Sequence, residues 1–158
     1  MISNQEIFLS IARSAHQEMR RFLDEGRTPK SDGSPGYVIT LDSERRSFKE
    51  ALIATAFAGI YFEALTYFIA RRKSKSQAEK VDRARYRGKL IALGVRDEAL
   101  LGAAESFQQD RNDLIHEKAI AVEDVAWSET RFAQSCADNA MEFVAAVDDV
   151  DRRSKRRQ

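Results

Sequence analysis

Proline is confined to one short stretch of this sequence. The 158 residues include only two prolines, Pro29 and Pro35. Proline inside a helix removes a backbone hydrogen bond and clashes with the preceding turn, so its absence elsewhere leaves most of the chain free to be helical. The length suits one domain, and 43% of the residues are hydrophobic, enough for one core. We therefore predict an all-α fold, with a single bundle over residues 1–150 and a basic tail over residues 151–158.

Capping signals and apolar spacing predict the first two helices. Ser3 and Glu6 form a capping box at the start of helix A. A loop with a β-like run at residues 37–41 follows, and Asp42 or Ser43 is placed to cap helix B. Helix B carries the longest apolar pattern in the chain, so we predict that it is the central helix of the bundle.

Three further helices follow from the same signals. Ser76 and Glu79 form a second capping box, from which helix C is predicted to run unbroken to Gly94. Asp97 is placed to cap helix D and Ser128 to cap helix E. The pattern predicts a bundle of four to five helices.

Cysteine usage and hydropathy predict a cytoplasmic location. Cys136 is the only cysteine, so the chain cannot form an internal disulfide. The N-terminal residues lack the basic flank and apolar run of a signal peptide. No stretch is expected to approach the roughly 20 apolar residues of a membrane-spanning helix. We predict that the protein is neither exported nor embedded in a membrane.

The formal net charge of +1 conceals a strong segregation of charge. Residues 71–89 hold nine basic and two acidic side chains, and residues 152–158 hold five basic side chains and no acidic one. Such patches suit a polyanionic partner, although a solvated helix face and a frayed tail explain the charge equally well. The candidate RNA-binding residues are Arg71, Arg72, Lys73, Lys75, Arg83, Arg85, Arg87 and Lys89.

The best candidate for chemistry is the segment that runs from Arg111 to His116. The sequence has no phosphate-binding loop and no paired metal-ligand spacing, so neither a cofactor nor a metal is predicted. An arginine and a histidine at such spacing occur roughly 0.7 times by chance in a chain of this composition. The surroundings are more informative, because Arg111 continues an apolar stripe and therefore needs a partner. Glu63, on the apolar side of helix B, is the predicted partner.

Arg111, Asn112 and His116 match the Arg-x(4–6)-His motif of the HEPN domains, in which Asn or Asp often follows the arginine. Glu63 on the long central helix is similar to the inward acidic residue of many members. The resemblance implies a four- to five-helix bundle and metal-independent endoribonuclease activity, of the kind found in toxins and antiviral defence effectors. It also implies a homodimer with a composite site.

The residue types suit RNA cleavage by the ribose 2′-hydroxyl, which attacks the adjacent phosphate while the 5′-oxygen departs. His116 is the predicted acid or base, and Arg111 is predicted to stabilise charge on the phosphate oxygens. Asn112 is predicted to contact the phosphate or orient the histidine. Asp113 is read as a surface residue or an orienter, since a carboxylate repels phosphate.

Two difficulties accompany this interpretation. Residues five apart on a straight helix lie roughly 140° apart, so either helix D ends or bends before His116, or Arg111 reaches around it with its long side chain. His16, the only other histidine, is expected to be a surface or packing residue. One chain therefore offers one imidazole where an acid and a base are needed, which favours a symmetric dimer.

Two other hypotheses use the same residues differently. A non-catalytic HEPN-like protein would bind RNA or a nucleotide, or act as an interaction module beside an antitoxin or nucleotidyltransferase. Alternatively, Arg111 and Glu63 form a purely structural ion pair, and His116 favours the negative end of helix D.

Overall fold

In the computed structural model, residues 4–40, 44–116 and 127–156 are described, and their elements form an all-α bundle with one small β-ribbon. In chain order the elements are α1 (Asn4–Glu25), β1 (Arg27–Pro29), β2 (Tyr37–Ile39), α2 (Arg46–Lys73), α3 (Lys75–Arg83), α4 (Tyr86–Leu93), α5 (Glu98–His116) and α6 (Trp127–Arg156). The predicted all-α class is confirmed. Within the described ranges there are six helices, so the predicted four to five is wrong.

The additional helix arises because predicted helix C is divided. α3 ends at Arg83 and α4 begins at Tyr86, with extended backbone at Ala84 and Arg85 between them. The cap of α3 is Ser74, whose hydroxyl accepts a hydrogen bond from the Gln77 backbone at 3.0 Å. The predicted Ser76 cap is therefore wrong.

The break in helix C lets Tyr86 enter the core. Its backbone N–H donates to the Gln108 side chain of α5 at 3.0 Å, and its ring is buried. A continuous helix would satisfy that N–H internally and would carry α4 away from α5. The contacts of Tyr86 with α5 therefore stabilise the broken helix more than one continuous helix would be stabilised by its extra backbone hydrogen bonds.

Other predicted boundaries have mixed outcomes. The Asp97 side chain accepts hydrogen bonds from the backbone of Ala99 and Leu100, which confirms it as the cap of α5. Gly94, with a φ of 97°, ends α4 as predicted. Ser128 is not a cap, because α6 already begins at Trp127. The predicted caps Ser3, Asp42 and Ser43 lie outside the described residues.

Residues 151–156 of the predicted basic tail continue the helix α6. The helix extends without interruption through Arg156, well beyond the predicted bundle boundary at residue 150. The loop after α1 forms an antiparallel ribbon, in which Thr28 pairs with Val38. The β-like run predicted at residues 37–41 is thus a strand from Tyr37 to Ile39.

α2 lies at the centre of the bundle and contacts all five other helices. Around it, four aromatic rings form the main core: Phe62 lies 4.7 Å from Tyr86 and 5.0 Å from Phe143, and Phe107 lies 5.1 Å from Phe143, measured between ring centroids. A second cluster, toward the start of α2, contains Met19, Ala51, Ala54, Leu114 and Cys136. The centre of α5 packs beside the first cluster, which brings Arg111 to α2.

α2 is also apolar enough, by length and composition alone, to cross a membrane. One 18-residue window within Arg46–Lys73 has a mean hydropathy of 1.6, and 44% of that window is buried inside the bundle. The expectation that no segment would approach this apolar length is therefore wrong. Central helices of water-soluble bundles share the property, and the predicted cytoplasmic location stays a prediction.

Candidate active site around Arg111

Arg111 and Glu63 meet between α5 and α2, as the sequence predicts. One terminal guanidinium nitrogen, Nη1, lies 3.8 Å from Glu63 Oε1. The Arg111 side chain is 24% exposed and that of Glu63 is 45% exposed. The pair thus lies at the margin of the core, where desolvation is partial and the guanidinium retains access to solvent.

Tyr86 is a third member of the site. Its hydroxyl donates to Glu63 Oε1 at 2.9 Å, so the same carboxylate oxygen faces both Tyr86 and Arg111. Burial raises the pKa of Tyr86 above its ordinary value, and the neighbouring Glu63 carboxylate adds to the rise while Arg111 opposes it. The phenol therefore remains a hydrogen-bond donor at neutral pH and fixes the orientation of Glu63.

Gly59 makes room for the Arg111 side chain. A Cβ at this position would lie 2.5 Å from Arg111 Nε, 2.6 Å from Arg111 Cδ and 3.0 Å from the Tyr86 hydroxyl oxygen. These distances are far below van der Waals contact, so any larger residue would displace the arginine. A glycine within a helix costs about 1 kcal/mol relative to alanine. The close approach of Arg111 explains why the glycine is needed.

Two buried polar atoms in this region have no hydrogen-bond partner among the described residues. They are Arg111 Nε and Thr55 Oγ1. Thr55, Gly59 and Glu63 are spaced four residues apart and therefore follow one side of α2. An unsatisfied buried donor lowers the stability of the fold by about 1–3 kcal/mol, a loss that an apolar side chain in the place of Arg111 would avoid.

The remaining motif residues lie on the last turns of α5. Asn112 is partly buried, whereas Asp113 is exposed and accepts a hydrogen bond from the Gln109 side chain at 2.7 Å. This supports the reading of Asp113 as a surface residue. α5 runs through His116, so the alternative in which the helix ends before His116 is wrong. The His116 side chain lies outside the described part, and its proximity to Arg111 remains a prediction.

His16 and Cys136 do not belong to the site. His16 Nε2 lies 2.7 Å from Asp138 Oδ1, at the contact between α1 and α6, which confirms a packing role. Burial, with Asp110 and Asp113 nearby, raises the pKa of the Cys136 thiol to about 12. A thiol with this pKa is a poor nucleophile at neutral pH. Within the described ranges, no cluster of three His, Cys, Asp or Glu residues could hold a metal ion.

The predicted RNA-binding residues fall into three environments. Six of them are exposed: Arg71, Arg72, Lys73, Lys75, Arg83 and Arg85. Arg87 is partly buried and forms ion pairs with Glu98 at 2.8 Å and Glu105 at 3.7 Å. Lys89 is buried, and its ammonium donates to the backbone carbonyls of Val81 and Asp82 at 2.8 Å and 3.0 Å.

The prediction that Lys89 lies on an RNA-binding surface is therefore corrected. Because α3 and α4 are separate helices, Lys89 folds back onto the C-terminal end of α3 and donates to two carbonyls of its last turn, of which that of Val81 also accepts from the Ala84 backbone N–H. Burial lowers the pKa of Lys89 below its ordinary value, which is the shift expected of a desolvated ammonium.

We expect Lys89→Ala to lower the free energy of unfolding by about 1–3 kcal/mol, because it removes two hydrogen bonds from a charged donor to the last turn of α3. Urea unfolding measures this loss. Lys80→Ala is the matched control, since Lys80 lies on the exposed side of α3, and its effect should be within about 0.5 kcal/mol. Equal stabilities of the two variants would contradict the structural role of Lys89.

Comparisons with models of protein families, with curated protein sequences and with solved structures found no match to this chain.

Proposed function

We propose that this protein is a metal-independent endoribonuclease of the HEPN type. The observation that carries the proposal is the placement of Arg111: a partly exposed guanidinium held by Glu63 on α2, above a glycine that leaves it room. Arginine suits phosphate because its planar fork donates to two oxygens at once. We assign Glu63 and Tyr86 as positioning residues, since Glu63 pairs with Arg111 and Tyr86 donates to Glu63.

In the proposed reaction, the ribose 2′-oxygen attacks phosphorus as its proton passes to a base. The bond from phosphorus to the 5′-oxygen breaks, and an acid protonates the departing oxygen. The products are a 2′,3′-cyclic phosphate and a 5′-hydroxyl. His116 serves as acid or base near neutral pH, and Arg111 stabilises the negative charge that develops on the non-bridging oxygens.

One imidazole cannot supply both proton transfers at the same moment. His16 is paired with Asp138 and belongs to a different contact of the bundle. We therefore propose that the active protein is a homodimer, in which a second chain supplies the other imidazole. The exposed basic residues where α2 meets α3 would guide RNA to this site.

The proposal is tested by incubating purified protein with total RNA in EDTA. We expect the wild type to cleave RNA and His116→Ala to lower the cleavage rate by about 10²-fold or more. His16→Ala is the matched control, because it removes the other imidazole, and it should retain cleavage within about threefold. Melting curves of all three proteins exclude unfolding as the cause.

Two outcomes would overturn the assignment. Cleavage by His116→Ala at the wild-type rate would remove the histidine from the reaction. RNA binding by the wild type without cleavage, over a panel that includes tRNA, would favour the non-catalytic RNA-binding module.

A further inference from the structure

Two aromatic rings are exposed side by side near the end of α2. Tyr67 and Phe68 are each 44% exposed, although they belong to the helix at the centre of the bundle. Successive residues of a helix lie about 100° apart, so the two rings cover adjacent sides of α2. Single apolar side chains are common on protein surfaces, whereas adjoining large ones mark an interaction site.

Each of the two rings is followed by an arginine one helical turn later. Tyr67 and Arg71 are four residues apart, as are Phe68 and Arg72, so each ring has an arginine as its neighbour on the helix surface. The guanidinium carbon of Arg72 lies 5.1 Å from the centre of the Phe68 ring, which is the geometry of a cation–π contact. The end of α2 thus presents two ring–arginine pairs side by side.

The cations around these pairs are not neutralised by carboxylates. Residues 64–75 contain four basic side chains and no acidic one. Within the described ranges, Arg71, Arg72 and Lys75 form no ion pair with a carboxylate. The fourth, Lys73, donates to a backbone carbonyl at the end of α4 at 3.5 Å. Exposed cations without counter-charges attract a polyanion, and the exposed rings beside them offer a place for flat groups.

This surface adjoins the candidate active site. Glu63, whose carboxylate lies 3.8 Å from the Arg111 guanidinium, is four residues before Tyr67. Glu63, Tyr67 and Arg71 therefore follow one side of α2, with a rise of about 6 Å between each residue and the next. A strand that lies on the rings would meet the Glu63–Arg111 pair within one helical turn.

An RNA strand matches the pairing of one ring with one cation. Each nucleotide carries one flat base and one phosphate, so stacking contacts and charge contacts occur in equal number. Bases stack on aromatic rings and on guanidinium planes, and arginine donates to two phosphate oxygens at once. Only unpaired bases can stack in this way, because the faces of a base inside a duplex are covered by its neighbours. A lipid surface would use the apolar area of the rings but not their flatness.

We infer that Tyr67 and Phe68, together with Arg71 and Arg72, form a binding site for an unpaired stretch of RNA. The bases stack on the two rings, and the adjoining phosphates bind the two arginines. This surface is called the α2 stacking site below. That the bound strand is RNA and leads to Arg111 rests on the proposed function, whereas the stacking itself rests on the exposed rings and the unpaired cations.

Fluorescence anisotropy with a labelled single strand of 2′-O-methyl RNA tests the α2 stacking site. This probe lacks the 2′-hydroxyl that attacks in the proposed reaction, so binding is measured without cleavage. We expect Tyr67→Ala and Phe68→Ala each to raise the dissociation constant by about tenfold, since each removes one stacked base. Tyr37→Ala is the matched control, because Tyr37 is 63% exposed on β2, and it should change the constant by less than about twofold.

Conservative variants separate stacking from simple apolar contact. Phe68→Leu keeps an apolar side chain but removes the flat ring, so it should bind the single strand as weakly as Phe68→Ala does. Tyr67→Trp keeps a flat ring and should bind within about threefold of the wild type. All these aromatic variants should leave the affinity for a duplex of the same sequence unchanged, because its bases are not free to stack.

The dependence of affinity on salt separates the two arginines from the two rings. Arg71→Gln and Arg72→Gln should each flatten the slope of log affinity against log salt concentration by about 0.7, the value for one phosphate contact with a single strand. The aromatic variants should weaken binding without changing the slope. Arg87→Gln is the matched control, because Glu98 and Glu105 already neutralise Arg87, and it should leave the slope unchanged.

Three results would overturn the inference. The first is wild-type affinity for the single strand in a folded Tyr67→Ala/Phe68→Ala double variant, with folding checked by circular dichroism. The second is an equal loss of affinity for single strand and duplex in that variant. The third is tighter binding to phosphatidylserine vesicles than to RNA, lost in the double variant but kept in Phe68→Leu, which would assign the rings to a membrane.

Failure of this inference is distinguishable from failure of the proposed function. A double variant that cleaves RNA with an unaltered KM would refute the α2 stacking site and leave the ribonuclease proposal standing. Binding of the single strand that depends on both rings, in a wild type that does not cleave RNA, would do the reverse.

Discussion

Replacement of Arg111 by lysine is expected to lower the rate of RNA cleavage by about 10²–10³-fold, as when a donor to a developing oxyanion is lost. Lysine keeps the positive charge beside Glu63 but presents a single ammonium in place of the planar fork, so two phosphate oxygens are no longer held together. Single-turnover cleavage of a defined RNA measures the loss, and RNA affinity should change far less than the rate.

The matched control is Arg20→Lys. Arg20 forms an ion pair with Asp138 at 2.6 Å and lies on α1, apart from the candidate site. Its replacement should leave cleavage within about twofold and stability within about 1 kcal/mol. If Arg111→Lys cleaves like the wild type and only loses stability, Arg111 and Glu63 form a structural ion pair and the catalytic role is wrong.

Truncation of Phe62 to alanine is expected to lower the free energy of unfolding by about 3–5 kcal/mol. Phe62 is fully buried on α2 and contacts both Tyr86 and Phe143, so its removal leaves a cavity where α2, α4 and α6 meet. A loss of this size is a large part of the stability of a domain of this length. Urea unfolding followed by circular dichroism measures it.

Phe132→Ala is the matched control for this truncation. Phe132 lies on α6 and is 39% exposed, so the loss should be about 1 kcal/mol or less. Similar losses for the two variants would contradict the placement of the core around Phe62. Because Tyr86 packs on Phe62, the Phe62 variant should also loosen the Glu63–Arg111 site and lower cleavage.

Local signals predicted well those features that depend on neighbours in the sequence. Asp97 caps α5 and Gly94 ends α4, because a cap or a left-handed residue acts within one turn of its own helix. The pairing of Glu63 with Arg111 was also predictable. Each lies on a stripe that is otherwise apolar, and two inward charges of opposite sign have reason to meet.

The capping pattern predicted the wrong start for one helix, because tertiary packing favoured another start and a break farther along. Ser76 and Glu79 satisfy the pattern of a capping box, yet Ser74 is the cap and the helix then breaks at residues 84–85. The break is favoured by the burial of Tyr86 and by its hydrogen bond to Gln108. Both partners are distant in the sequence, so no local pattern indicates them.

The sequence by itself determined an all-α bundle, its long apolar central helix and the opposite charges Glu63 and Arg111 on otherwise apolar stripes, since these follow from backbone propensity and the spacing of apolar residues. Tertiary structure alone decided that Gly59 lies beneath Arg111, that Tyr86 donates to Glu63, that Lys89 is buried and that one face of α2 stays exposed. The physical reason is that these four features depend on which helices meet and how closely, and such contacts join residues that lie far apart along the chain.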